Sequence, residues 1–227
     1  MQDFLNKIYR KVNMKLLLKT FIILSTTVLL TTMACENYSE IESENASGGD
    51  YKTFPTVVYD GNLGGVTGAD ANCMADDNYP GTGTYKALIV DGLNRIASVS
   101  ANAGDGQVDW VLKANSNYYL TDGATKIMTT DENSLFTFGS LDNSFNGVGF
   151  AGSPSWTGLN QDWTANANNC NFWNSALETD SANFGFTSSS SATAISDATA
   201  AIPCSNTDTS KSPLTVNFYT VLICVEQ

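Results

Sequence analysis

Apolar positions along the chain predict a fold built mainly of short strands. Residues 54–59 are apolar and β-branched and end at Asp60-Gly61, a pattern typical of a strand followed by a turn. Residues 216–225 alternate, and both faces become apolar toward the end, which predicts a central, buried strand. Shorter strands are predicted at residues 86–90, 109–112, 118–120, 126–129 and 135–138.

One early helix is predicted. Thr67 would be its N-cap, with Asp70 three residues later. Val66, Ala69 and Cys73 would share one face of this helix.

A long loop region is predicted at residues 139–173. It is rich in Gly, Asn and Ser, yet it contains Trp156, Trp163 and Trp173. Long loops with their own aromatic anchors are often functional. Trp156 and Trp173 are expected in the core, whereas Trp163 is the candidate for an exposed contact.

The N-terminal segment has the three parts of a secretory signal. Lys15 and Lys19 precede a short apolar stretch at residues 21–30, and small residues lead to Cys35. We therefore expect a signal peptide at residues 1–34, with Met14 as an alternative start. Cys35 would be acylated as in a bacterial lipobox, although Thr32 stands where leucine is usual; ordinary cleavage that leaves Cys35 as a free thiol is the alternative. Lipidation would anchor the exported protein to a membrane, and we expect this to be the outer membrane, at the cell surface.

Beyond Cys35 the sequence divides into a tether and one domain. Residues 35–52 are polar and acidic and are expected to form a flexible, lipid-anchored tether. Residues 53–227 are enough for one domain with a sizeable core.

Four cysteines remain for disulfides once Cys35 is set aside. They are Cys73, Cys170, Cys204 and Cys224. An even number in an exported chain favours two bridges, and three pairings are possible. A zinc site is less favoured because the spacings are wide and the chain has no histidine.

The charge excludes one class of partner. Five of the 11 basic residues and one of the 23 acidic residues precede Cys35, which leaves six basic and 22 acidic residues and a formal net charge of −16. A nucleic-acid or heparin partner needs a basic patch that six side chains hardly build. Divalent cations or basic host proteins are the more natural partners.

Several segments, in the same order, resemble endostatin. They are Gly68-Ala69-Asp70 with Cys73, residues 83–88, Trp156-Thr157-Gly158, the Cys170–Trp173 element, and residues 221–226. Trp156-Thr157-Gly158-Leu159 is also similar to the Trp-Ile-Gly-Leu motif of C-type lectins, which share that fold. The chain resembles most a family of spirochaete lipoproteins of unknown function with an endostatin-like domain. The resemblance covers residues 59–227.

This resemblance implies an α+β, endostatin-like or C-type-lectin-like fold. It would have mixed, mainly antiparallel sheets, long loops, one or two short helices and two disulfides. It also implies the pairings Cys73–Cys224 and Cys170–Cys204. The zinc-binding histidines and clustered arginines of endostatin and the calcium triplets of sugar-binding C-type lectins are absent from this sequence. The fold can therefore be carried over, whereas these binding functions cannot.

Two sets of polar residues are candidates for binding. Asp142, Ser144 and Asn146 place oxygen atoms at alternate positions, like the start of a calcium loop, but Ser153 stands where such a loop needs glutamate. A polar surface turn is the more favoured interpretation, so calcium is only a possible cofactor. Asp162, Asn168 and Asn169, together with the three tryptophans, resemble a glycan site, and Trp163 is the tryptophan expected to be exposed.

Three functions remain open. The first is a surface binding module, an adhesin or host-factor-binding lipoprotein whose ligand is a matrix protein, a plasma protein or a glycan. The second is an envelope lipoprotein with a structural role and no host ligand. The third is a carboxylate-based glycosidase, which is the least favoured because the chain has no histidine to act as a base and no recognisable carboxylate pair. We therefore expect a binding protein rather than an enzyme.

Overall fold

The computed structural model of the protein describes residues 48–139, 141–146, 152–205 and 219–227. The predicted signal peptide, Cys35 and most of the predicted tether lie outside the described residues. The first strand, β1, spans Asp50–Pro55. The domain therefore begins before residue 53, and the strand predicted at residues 54–59 lies four residues too late. Tyr51 contributes to this earlier start because its ring stacks on Tyr118, with 5.5 Å between the ring centroids.

The first helix, α1, spans Gly65–Ala75 and buries Val66, Ala69 and Cys73, as predicted. Its N-cap is Gly64, not Thr67. Gly64 has a φ of 81°, a conformation that glycine adopts without steric cost. The helix therefore begins two residues before the expected cap. Asp70 is not part of a capping box, because its carboxylate contacts Arg95.

The other elements are short. In chain order they are β2 (Tyr85–Ala87), β3 (Asn117–Leu120), β4 (Lys126–Thr129), β5 (Pro154–Trp156), α2 (Cys170–Trp173), β6 (Ser181–Ala182), β7 (Phe184–Phe186), a 3₁₀ turn (Ala192–Ala194), β8 (Ile202–Pro203) and β9 (Ile223–Glu226). This composition confirms an α+β class in which strands predominate over a few short helices.

The main sheet has five strands in the order β2-β9-β1-β3-β4. Strands β1 and β3 are parallel, whereas the other three pairs are antiparallel. Two smaller antiparallel pairs, β5 with β7 and β6 with β8, lie outside it. The sheets are therefore mixed and mainly antiparallel, as expected.

Strand β9 lies inside the sheet and separates two apolar cores. Ile223 and Val225 belong to one cluster, whereas Leu222 and Cys224 belong to the other. Successive side chains of a strand point to opposite faces, so both faces of β9 are covered. This confirms a central, buried strand at residues 223–225. Residues 219–222 of the predicted strand lie before β9, and residues 216–218 lie outside the described residues.

Two predicted strands are not strands. Residues 109–112 and 135–138 are apolar because they fill the core: Val111, Leu112, Leu135 and Phe136 are all buried. Their backbones do not pair as ladders. A short apolar run shows that a segment is buried, but it does not show whether the backbone has a partner.

Both disulfides have the pairing that the resemblance implied. Cys73 joins Cys224, and Cys170 joins Cys204, each with its Cα atoms 5.7 Å apart. The first bridge ties α1 to β9. The second ties α2 to the segment that follows β8.

A buried arginine links α1 to the loops beside the sheet. The Arg95 side chain has no exposed surface and pairs with Asp70 and Asp109. It also donates to the carbonyl oxygen of Ala87 at 2.8 Å. Burial lowers the pKa of Arg95, but the hydrogen bonds and charge of the two carboxylates outweigh burial and raise it. The guanidinium is thus a structural cation, unavailable to an external anion.

Candidate functional site

Two adjoining hollows in the described part of the domain are lined mostly by polar residues. The narrow hollow, of about 460 Å³, is lined by Asn160, Gln161, Asp162, Asn166, Asn168, Asn183 and residues 196–201. The wide hollow, of about 900 Å³, is lined by Asp91, Gly92, residues 165–169, Asn171, Phe172 and residues 179–181. They share Asn166 and Asn168, so we call them together the amide-rich surface. Both volumes fall in the range of about 300–1,000 Å³ that ligand sites occupy.

One wall of the narrow hollow is a network of side-chain amides. The Nδ2 atom of Asn166 donates to Oδ1 of Asn160 at 2.7 Å. The Nδ2 atom of Asn160 donates in turn to Oγ1 of Thr164 at 3.0 Å. The Oδ1 atom of Asn166 accepts from the backbone of Asn168 at 2.8 Å. Each amide is therefore fixed before any ligand arrives, which reduces the entropic cost of binding.

A second group of amides is anchored to the segment around Ser196. Asn183 is buried and donates to the hydroxyl of Ser196 at 2.8 Å, and also to the carbonyl of Leu159. Gln161 donates to the carbonyl oxygen of Ser196 at 3.0 Å. These bonds hold together two segments that are distant in sequence, so both contribute to one hollow.

Two carboxylates line the narrow hollow in matching turns. Oδ1 of Asp162 accepts from the amide and hydroxyl of Thr164 at 3.1 and 2.6 Å. Oδ1 of Asp197 accepts from the amide and hydroxyl of Thr199 at 3.0 and 2.7 Å. Within the described residues, no hydrogen bond is found to Oδ2 of either group. Each turn can thus offer one carboxylate oxygen to a ligand.

Asn168 and Asn169 have different roles. Asn168 is exposed and borders both hollows. Asn169 is buried, and its side chain donates to the carbonyl of Asp91 at 3.1 Å and accepts from the backbone of Phe172 at 3.0 Å. Asn168 is therefore placed for binding, whereas Asn169 shapes the backbone beside it.

The helical turn α2 has a left-handed backbone. Cys170, Asn171, Phe172 and Trp173 have φ values of 51°, 53°, 57° and 63°. For residues with a Cβ atom this conformation costs about 1–2 kcal/mol each. Several bonds offset the cost: besides the cap from Asn169, the indole of Trp173 donates to the carbonyl of Val90 at 2.9 Å. The turn places Phe172 at the wide hollow with 45% of its surface exposed.

All the charged side chains that line the two hollows are acidic: Asp91, Asp162, Asp180 and Asp197. Burial tends to raise the pKa of Asp91. The hydrogen bonds that it accepts from Arg95, Asn94 and Leu93 outweigh burial and lower that pKa. Among the described residues that line the hollows, no cation is placed to balance an anionic ligand against these carboxylates.

The expectation that Trp163 is exposed is wrong. Only 1% of its surface is accessible, and its ring packs against Trp110, Phe136 and Phe138 at centroid distances of 6.0, 4.6 and 5.5 Å. It borders a smaller hollow of about 300 Å³ and lines neither hollow of the amide-rich surface. Trp156 and Trp173 are fully buried, as predicted.

The calcium candidates lie on the surface near β4. Asp142 is exposed, and its carboxylate is 3.6 Å from the ammonium of Lys126, which would compete with a metal ion. Ser144 and Asn146 are half-buried, and residues 147–151 lie outside the described residues. In the described ranges, no group of three or more His, Cys, Asp or Glu side chains is placed to hold a metal. Calcium binding stays a prediction.

The sequence alone pointed to Asp162, Asn168 and Asn169 but missed most of the amide-rich surface. The residues missed are Asn160, Gln161, Asn166, Asn183, Asp197 and Phe172. One signal was available: Asp162 and Asp197 both stand in Asp-Xaa-Thr sequences. The two turns come together in space because Gln161 and Asn183 contact Ser196. The spacing of residues along the sequence does not reveal this contact.

The fold and the site together define an α+β domain, stapled by two disulfides, with a polar surface hollow. Residues 56–193 match the family described as Protein of unknown function (DUF1554), and the chain belongs to that family. The matched span includes most of the amide-rich surface but not Asp197. A comparison with curated proteins finds no match. Among the described residues, no helix is long and apolar enough to cross a membrane.

Proposed function

We propose that the protein is an exported bacterial lipoprotein whose endostatin-like or C-type-lectin-like domain is a binding module. The observation that carries this proposal is the amide-rich surface, where side chains from distant segments are fixed in networks around two hollows. Polar side chains that are held in fixed positions and converge on an open hollow are the kind of groups that orient a ligand in a binding site. The proposed ligand is a host matrix or plasma protein, or a glycan.

Binding by the intact, oxidised chain to arrays of matrix proteins, plasma proteins and glycans tests this proposal. Saturable binding to one class is expected. Asn168→Ala should weaken it at least about tenfold if Asn168 bonds the ligand in the centre of the site. Asn133→Ala is the matched control, because Asn133 is an exposed asparagine that lines neither hollow.

Equal binding by both variants would show that the ligand binds elsewhere on the domain. Absence of binding on every array would favour an envelope-structural role. Repeating the arrays with calcium and with a chelator tests the metal, because loss of binding on chelation is expected only if a cation takes part.

The lipid anchor is tested separately, since it depends on Cys35 alone. Cells that express the protein and are fed an alkyne-bearing fatty acid should label it. Cys35→Ser should abolish the label and release the protein from membranes. Labelling that survives the substitution would contradict the proposal.

A glycosidase is the second candidate, favoured by one observation: Asp162 and Asp197 line the same narrow hollow. Such enzymes need two carboxyl groups that flank the scissile bond. Mass spectrometry of any bound glycan after prolonged incubation tests this. Cleavage that disappears in both Asp162→Asn and Asp197→Asn would establish hydrolysis. A glycan that stays intact would show that the protein binds it without cleaving it.

A further inference from the structure

The charge of the amide-rich surface restricts the class of ligand. The lining offers carboxylate oxygens together with side-chain amides, which both donate and accept. Hydroxyl groups also both donate and accept, so a polyhydroxylated ligand can satisfy both kinds of group. Sulfated or phosphorylated ligands are disfavoured because the charged groups of the lining are all acidic.

Phe172 adds an apolar face to this polar lining. Its ring is 45% exposed and is not part of either apolar cluster of the core. The left-handed backbone that places it there is energetically costly, yet Asn169 and the Cys170–Cys204 bridge hold it in place. Cys170 and Trp173 anchor the turn in the core, whereas the ring of Phe172 belongs to neither apolar cluster and stays exposed. Strained backbone of this kind is a feature of ligand sites.

We infer that the ligand is a neutral saccharide. One sugar ring stacks its C–H face on Phe172 in the wide hollow, and its hydroxyl groups bond the neighbouring amides and carboxylates, among them Asn168 and Asp180. A sugar has an apolar ring face and a polar hydroxyl edge, which matches an aromatic ring beside amides. This inference rests on the proposed function and names the ligand class for the same site.

A peptide rich in lysine and arginine is the competing ligand, since the lining is acidic. Cations would also be attracted to the domain as a whole, and such attraction weakens steeply with salt. A neutral saccharide held by hydrogen bonds and stacking would be much less sensitive. Salt dependence therefore separates the two classes.

The experiment is a glycan array of neutral, amino and sulfated saccharides, probed with the intact, oxidised chain beside an array of basic peptides. Neutral glycans should bind, with less than about a twofold change between 50 and 500 mM salt. Phe172→Ala should weaken binding at least about tenfold, while Phe172→Tyr, which keeps the ring, should bind nearly as well as wild type. Leu177→Ala is the control because Leu177 is 62% exposed and lines neither hollow.

The inference would be overturned by binding only to basic peptides, by binding only to sulfated glycans, or by equal binding of Phe172→Ala and wild type. Glycoproteins that bind equally before and after enzymatic deglycosylation would also overturn it, while leaving the binding module intact. Failure to bind any member of any array would instead contradict the proposed function. Circular dichroism of each variant establishes that the comparison is between folded proteins.

Discussion

Asp105 organises a surface loop through a single carboxylate. Oδ1 accepts from the backbone amides of Val99 and Ser100 at 3.0 and 2.7 Å, and Oδ2 accepts from the hydroxyl of Ser100 at 2.8 Å. Hydrogen bonds from Ser100, followed by those from Val99 and Ser98, lower the pKa of Asp105 to about 2. The charged carboxylate thus substitutes for regular backbone pairing in this loop.

This lowered pKa makes the loop sensitive to acid. A carboxyl group titrates at about 3.9 in an unfolded chain. The hydrogen bonds of the charged Asp105 therefore stabilise the folded loop above that pH, and this stabilisation is lost as the pH falls toward 2. An NMR titration should show the Asp105 carboxyl shifting near pH 2, with the Val99 and Ser100 amides following it. Asp105→Asn should remove this step. A midpoint near 4 would show that the hydrogen bonds do not form.

Trp163 shows how a buried residue can be mistaken for a binding one. Trp163→Ala should lower the free energy of unfolding by about 3–5 kcal/mol, because it leaves a large cavity among Trp110, Phe136 and Phe138. Urea denaturation measures this loss. Val99→Ala is the control: Val99 is 63% exposed, so its change should stay within about 0.5 kcal/mol. Full stability of the Trp163 variant with lost binding would restore the original expectation.

At the scale of elements, the left-handed turn α2 is the least predictable part of the fold. The sequence marks Cys170–Trp173 as an element but gives no sign of its handedness, since only Asn171 among the four is a type that visits this region readily. The conformation is imposed by distant partners such as Asp91, Val90 and Cys204. Sequence patterns carry local preference, and here long-range contacts override it.

Asn171 provides a test of that backbone because it is exposed with a φ of 53°. Asn171→Ala should lower the free energy of unfolding by about 1 kcal/mol, since alanine tolerates the left-handed region less well. Asn171→Gly should be as stable as wild type or slightly more stable. Chemical denaturation of the three proteins gives the order. A gain in stability with alanine would show that the turn is right-handed in solution.

Sheet elements divide into those that sequence patterns locate and those that they do not. Strand β4 was predicted within its observed bounds, and the buried character of β9 followed from its two apolar faces. The strand predictions at residues 109–112 and 135–138 are wrong, because a buried segment and a paired strand show the same run of apolar residues. Pairing between β1 and β3, whose partner residues are 67 apart in the sequence, depends on a register that neither strand encodes alone.

At the scale of the whole molecule, the two disulfides join segments that lie far apart in the sequence. The Cys73–Cys224 bridge spans 151 residues and the Cys170–Cys204 bridge spans 34. The number of cysteines predicted two bridges, but their pairing came only from resemblance to a fold. The amide-rich surface depends on the same long-range closure, because the second bridge holds the turn that presents Phe172.

The two bridges should therefore differ in what their removal costs. Chain entropy alone predicts that the double variant Cys73→Ala/Cys224→Ala loses about 5 kcal/mol of the free energy of unfolding. For the double variant Cys170→Ala/Cys204→Ala the predicted loss is about 4 kcal/mol. The second loss should be smaller still, since opening that bridge lets the left-handed turn relax. Urea denaturation of both double variants measures the difference. If the variant without the Cys170–Cys204 bridge is the less stable, the turn carries no strain, and the energetic argument that Phe172 is held out for a ligand is lost.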